Sequence, residues 1–189
     1  VGFFDSLLGK SKQVNAQLDS LFALSGAAIT LEVNADLEPV LTAGVVFKPA
    51  SGAAFSATEE EFKGTLAQMA GDGTTLEMST DPYGYRWVEI HASDLESLVT
   101  AAHVVNRSLE DHGFSPQLLC SVFPFTDRST QQRVYWIYLY KRGTFYPFVP
   151  TGKEARNNEK ELSLKAVIGT DLPIEEDLAR WFAIWGIPF

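Results

Sequence analysis

One cysteine, three histidines and two fragments of a phosphate-loop pattern are the parts of this 189-residue chain whose types could do chemistry. Cys120 sits in the string Gln117-Leu118-Leu119-Cys120-Ser121-Val122-Phe123. A nucleophilic thiol needs an electropositive, partly exposed setting. In an apolar strand a free cysteine behaves as a small hydrophobe. His103 and His112 fall on one expected helix, nine positions apart, which places them on opposite faces at 3.6 residues per turn. His91 falls on a strand, and no His-Glu-x-x-His spacing occurs. Gly9-Lys10-Ser11 echoes the end of a phosphate loop, but Phe4 stands where the motif needs glycine. Gly152-Lys153 is followed by Glu154, and Pro147 occupies the glycine position. A single cysteine also rules out an internal disulfide and a cysteine-based zinc site. The expectation is therefore no catalytic residue, no metal ligand and no cofactor.

Two other groupings suit binding. Phe3, Phe4, Leu7 and Leu8 share one face of a short amphipathic helix over residues 1–12, and Lys10 and Lys12 follow it. An isolated helix this short is marginal in water, so it must order on something. Its own domain is one surface it can pack on; the other reading takes these six residues as a docking face for a partner or, peripherally, for an anionic membrane surface. Tyr140, Lys141, Arg142, Phe145 and Tyr146 set basic residues among aromatics at a turn, a candidate recognition turn. Such mixtures can stack on single-stranded nucleic acid. Here 15 Lys and Arg face 24 Asp and Glu, a net charge of −9, which opposes phosphate binding.

These residues need a scaffold, and the pattern supplies one. A helix is expected from about Asn15 to Leu24, then strands at Ile29 to Val33 and Ala43 to Lys48, with Leu37 to Thr42 as a connection. Thr58 and Glu61 form a capping box that opens a helix carrying Phe62, Leu66 and Met69. Leu76 to Thr80 and Tyr85 to His91 flank Asp81-Pro82-Tyr83-Gly84, a hairpin turn. Ser93 and Glu96 cap a helix whose Leu95, Leu98, Val99, Ala102, Val105 and Leu109 make a 3.6-residue stripe. Strands follow at Leu118 to Phe125, Arg133 to Lys141 and Thr144 to Val149. Pro147 marks the last of these as an edge strand. A short helix at Glu159 to Val167 precedes a final one starting near Pro173, with Leu178, Trp181, Phe182 and Trp185 inward. The fold expected is α+β: a mostly antiparallel sheet of hairpins packed by helices, forming one domain over residues 13–189.

The longest uninterrupted apolar or aromatic run, Val134 to Tyr140, is far short of the ~20 residues of a spanning helix. The acidic charge, single cysteine and absence of a secretory pattern point to the cytoplasm, with at most contact at the inner face of the membrane.

Six strings together carry a resemblance: GFFDSLLGKSK at 2–12, LDSLFALSGAAITL at 18–31, DPYGYRWVEI at 81–90, GFSPQLLCSVFPF at 113–125, YLYKRGTFYPFVP at 138–150 and DLARWFAIWG at 177–186. The chain resembles the PspA-associated PspAB family, found chiefly in actinobacteria and linked to the phage-shock envelope-stress system. That resemblance implies a non-enzymatic accessory protein with a protein partner, PspA or another envelope-stress component, and room for a homo-oligomer. It brings no catalytic residues. The layout also resembles the type III secretion chaperone-like fold of YbjN-type proteins. That likeness keeps a peptide- or effector-binding module open, and Cys120 keeps open a small enzyme.

Overall fold

The computed structural model describes residues 18–49, 53–69, 71 and 73–189. The docking face expected at Phe3, Phe4, Leu7, Leu8, Lys10 and Lys12 lies outside these residues.

The chain begins with a helical stretch in three pieces: a 3-10 turn at Leu18–Phe22, α1 at Ala23–Gly26 and α2 at Ala28–Ala35. Leu18, Leu21, Leu24, Ala27 and Leu31 are its buried stripe. The strand expected at Ile29 to Val33 is thus a helix. Its Ile-Thr-Leu-Glu-Val alternation mimics a strand because Ile29 and Val33, four residues apart, form a second apolar face that points outward. Asp36 ends α2 in the left-handed conformation. Part of the expected connection then pairs as strand β1, Leu37–Pro39, before β2, Thr42–Phe47.

Helix α3 runs Ala53–Met69 and starts five residues before the expected cap at Thr58. Alanine at Ala53 and Ala54 carries the helix back past that threonine. Strands β3, Thr75–Thr80, and β4, Arg86–His91, form the expected hairpin, with Thr80 opposite Arg86. In α4, Leu95–Asp111, the cap is Asp94 rather than Ser93. The Asp94 carboxylate accepts from the Ser97 N–H at 2.8 Å. Every residue of the expected stripe is buried.

Next come β5 (Leu118–Asp127), β6 (Arg133–Leu139), β7 (Thr144–Phe148), a small hairpin of β8 (Pro150–Gly152) and β9 (Ala155–Arg156), and α5 (Asn158–Ile168). Seven strands make one sheet in the order β3-β4-β2-β5-β6-β7, with β1 also on β5, and every pairing is antiparallel. The fold is α+β, and β7 is an edge strand as Pro147 requires.

One sheet face packs on helices. Phe47 meets Phe62 and Phe114 there, with ring centroids 6.3 and 5.4 Å away. Asn106 of α4 donates to Ser121, and Tyr140 hydrogen-bonds both, a closed polar cluster in the core.

The other face is covered differently from expectation. No α-helix follows Pro173; a 3-10 turn at Leu178–Arg180 interrupts an otherwise irregular segment to Phe189. Three contacts hold it open. Phe145 accepts the Glu175 N–H and donates to the Pro173 carbonyl, bridging the segment to the edge of β7. The Tyr146 hydroxyl donates to the Phe182 carbonyl, and Arg156 to that of Trp181. Gly186, at φ +74°, adds a turn that side chains rarely adopt. Trp181 is 7% exposed, but Leu178 and Phe182 point to solvent. Among the described residues no helix is long and apolar enough to cross a membrane.

Candidate functional site: an apolar cleft between sheet and C-terminal segment

The C-terminal segment does not close tightly on the sheet. Between them lies a cleft of about 440 Å³, within the size range of small-molecule sites. Its floor comes from Val46 of β2, Trp87 of β4, Cys120 of β5, Leu139 of β6 and Tyr146 of β7, and its roof from residues 182–185.

Three local features shape it. Gly44 lets the Trp87 indole lie across β2, since a Cβ there would come within 2.7 Å of that ring and 2.9 Å of the Phe189 ring. Asp81 fixes the indole from the turn: its carboxylate accepts from Trp87 Nε1 and from the Tyr83 and Tyr85 backbone N–H groups, all at 2.9 Å. A β-bulge does the third job. Val46 pairs with Cys120 and Phe47 with Leu118, so Leu119 is the extra residue and lines the cleft beside Cys120 instead of facing away.

Charges brace the roof from outside. The Glu175 carboxylate accepts from the Arg142 guanidinium, from the Thr144 hydroxyl at 3.1 Å and from the Asp177 N–H at 3.1 Å. Burial alone would raise its pKa, but these donors hold it below the usual value. Arg156 pairs with Glu161 at 2.8 Å and lies 5.1 Å above the Phe148 ring, beside Trp185.

The chemistry-bearing residues do not converge. Cys120 reaches the cleft, but burial pushes its thiol up to about 12, so it is protonated at neutral pH. His91 sits 3.0 Å from the Thr42 hydroxyl. His103 packs on Phe22, and the His112 Nδ1 is 2.7 Å from the Ser108 carbonyl. Among the described residues, no three His, Cys, Asp or Glu side chains gather as metal ligands.

The five residues of the recognition turn take different places. Tyr140, Phe145 and Tyr146 are fully buried, and Arg142 is engaged by Glu175; of the five residues, Lys141 alone stands in solvent without a role in packing. Both sheet faces are covered, so alternating aromatics on β6 and β7 enter a core on either side. Tyr146 does reach the cleft, as part of its floor. The remaining cleft residues escaped sequence reasoning, although Asp81 and Trp87 lay within the recognised turn and strand.

A family model described as PspA associated protein B matches residues 1–189, the whole chain. No curated protein and no solved structure matches it.

Proposed function

The chain belongs to the PspA associated protein B family, and on that premise we propose that it is a non-enzymatic accessory protein that binds a protein partner, PspA or another component of a phage-shock type envelope-stress response. The observation that carries this reading is the match of that one family, described by its association with PspA, over every residue.

The surface favours docking over catalysis. Phe22, Ile29 and Val33 follow one outward stripe of the 18–35 helical stretch at helical spacing, and Ile29 and Val33 are 74% and 73% exposed. Its own core uses the opposite stripe; Phe22 leans on His103 of α4, while Ile29 and Val33 stay largely exposed. Helix α5, which packs on α2, adds exposed Leu162 and Val167. Full burial of an exposed side chain such as Ile29 or Val33 contributes roughly 1.5–3 kcal/mol, so a few can anchor an interface. The protonated thiol and the separately engaged histidines give catalysis no comparable foothold.

Biolayer interferometry with immobilised chain and purified PspA tests the reading. Saturable binding that falls about tenfold or more in Ile29→Asp/Val33→Asp, with unchanged melting, is the expected result. Absence of wild-type binding to PspA, together with no envelope-stress protein co-purifying from native cells, overturns it.

A further inference from the structure

We propose that the cleft is a binding site for the single aliphatic chain of an anionic amphiphile, about 16 carbons long, with the head group at the Leu119 end. This goes beyond the partner-binding reading and does not depend on it.

Size comes first. A dry cavity of about 150 Å³ lined by apolar side chains accepts one benzene. The cleft, at about 440 Å³, is close to three times that, room for roughly 16–18 carbons.

Polarity decides the class. The polar side chains of the interior are already committed. Both Asp81 oxygens accept N–H donors, the Tyr146 hydroxyl donates to the Phe182 carbonyl, and the Cys120 thiol is neutral. A guest bringing amides or hydroxyls inside would leave them unpaired, at a cost of kilocalories each. A peptide carries an amide at every residue and needs partners for all of them. The floor is a sheet face whose strands pair their N–H and C=O groups in the ladder, apart from the bulge at Leu119. A chain of methylenes makes no such demand.

The mouth supplies the head-group end. Lys48 follows β2 just past Val46, and its N–H donates to the Gln117 carbonyl, two residues before Leu119. Lys141 follows β6 just past Leu139. Both lysines are exposed. The strand ends on this side of the sheet thus carry two cations in a chain of net charge −9, and an anionic head at that end would meet opposite charge. The rim is amphipathic: Tyr83 and Tyr85 have apolar rings with wet tips, and Phe182 and Leu119 are 59% and 40% exposed.

Two single-chain probes separate the head-group sources: hexadecanoate for a free carboxylate and palmitoyl lysophosphatidylglycerol for a lipid phosphate. Both are titrated below their micellar concentrations into the full chain and followed by calorimetry and tryptophan fluorescence. One saturable site is expected for at least one probe, and the tighter of the two identifies the head. Octanoate should bind about 100-fold more weakly or worse, because each buried methylene contributes about 0.8 kcal/mol. Leu119→Trp, at the rim, should weaken the chain at least about tenfold with melting unchanged, because the indole fills the mouth. Lys48→Glu/Lys141→Glu should weaken both anionic probes but not hexadecanol. If Leu119→Trp fails to fold, Phe182→Asp on the opposite rim makes the same test. No saturable binding of either probe, equal affinity for octanoate, or undiminished binding in the rim variants overturns the proposal. So does a rim variant that loses PspA while no probe binds the wild type, which assigns the cleft to the protein partner.

Discussion

Replacing Asp81 by Asn changes one atom and tests how the cleft floor is held. Asp81 is buried and accepts three N–H donors at 2.9 Å: two from the backbone at Oδ1 and the Trp87 indole at Oδ2. Asparagine keeps one acceptor oxygen for the backbone pair and turns an NH₂ toward the indole N–H, donor against donor. Hydrogen bonds to charged groups contribute about 1.5–3 kcal/mol, so the loss should be about 2–3 kcal/mol. For a chain of this length that lowers the melting temperature by about 4–12 °C. The assay is urea unfolding followed by far-ultraviolet circular dichroism, which does not depend on the tryptophan being altered. Trp87→Phe removes the indole donor. In that background Asp81→Asn should cost about 1.5–2 kcal/mol less, and the double-mutant cycle reads this coupling directly. A coupling below about 0.5 kcal/mol would show that the indole is held by packing alone and refute the reasoning.

Gly44→Ala should destabilise by about 1–3 kcal/mol, since its Cβ would fall within 3 Å of both the Trp87 and Phe189 rings; thermal unfolding checks it. Trp181→Ala should cost about 3–5 kcal/mol, whereas its neighbour Phe182→Ala should stay within about 0.5 kcal/mol; a pair of equal effects in denaturant titrations would mean the segment is not seated as described. Burial would raise the Asp127 pKa, but the Lys160 ammonium at 2.7 Å, the Ser129 hydroxyl and the Thr130 N–H hold it well below the usual range. Its folded pKa lies below the unfolded value of about 3.9, so its stabilisation is complete above about pH 5 and is lost as the pH falls toward the folded value. Asp127→Asn should flatten the acid limb of stability against pH, and an unchanged limb would count against the ion pair.

Elements whose pattern answers to one environment were legible. The α4 stripe reads cleanly because one side meets the sheet and the other meets water, and Pro147 identifies an edge strand because it lacks the ladder donor. The misreadings share a cause. Ile29 to Val33 carries apolar residues on two helical faces, one for the core and one for solvent, and that doubling imitates a strand. Leu178, Trp181, Phe182 and Trp185 have helical spacing, but the backbone there is recruited by β7, Tyr146 and Arg156, so tertiary partners override a pattern that local propensity supports. The cleft was not legible because Val46, Asp81, Trp87, Leu119, Tyr146 and Trp185 lie on separate segments. Only the bulge at Leu119 and the clearance at Gly44 bring them together, and neither leaves a trace in composition.

The order of the chain sets a timetable for synthesis. Residues Trp181 to Phe189, which shelter the aromatic underside of the sheet, follow every strand. Phe148 leaves the ribosome about 40 residues before Phe189, an interval of about 2–8 s at 5–20 residues per second. Through that interval Trp87, Tyr146 and Phe148 form a bare aromatic surface on a nascent chain whose remaining sheet can already pair. Each nascent chain therefore passes through a sticky stage in which its strands are made and their cover is not. Messages truncated between Phe148 and Trp181 would yield proteins that assemble their strands and then clump.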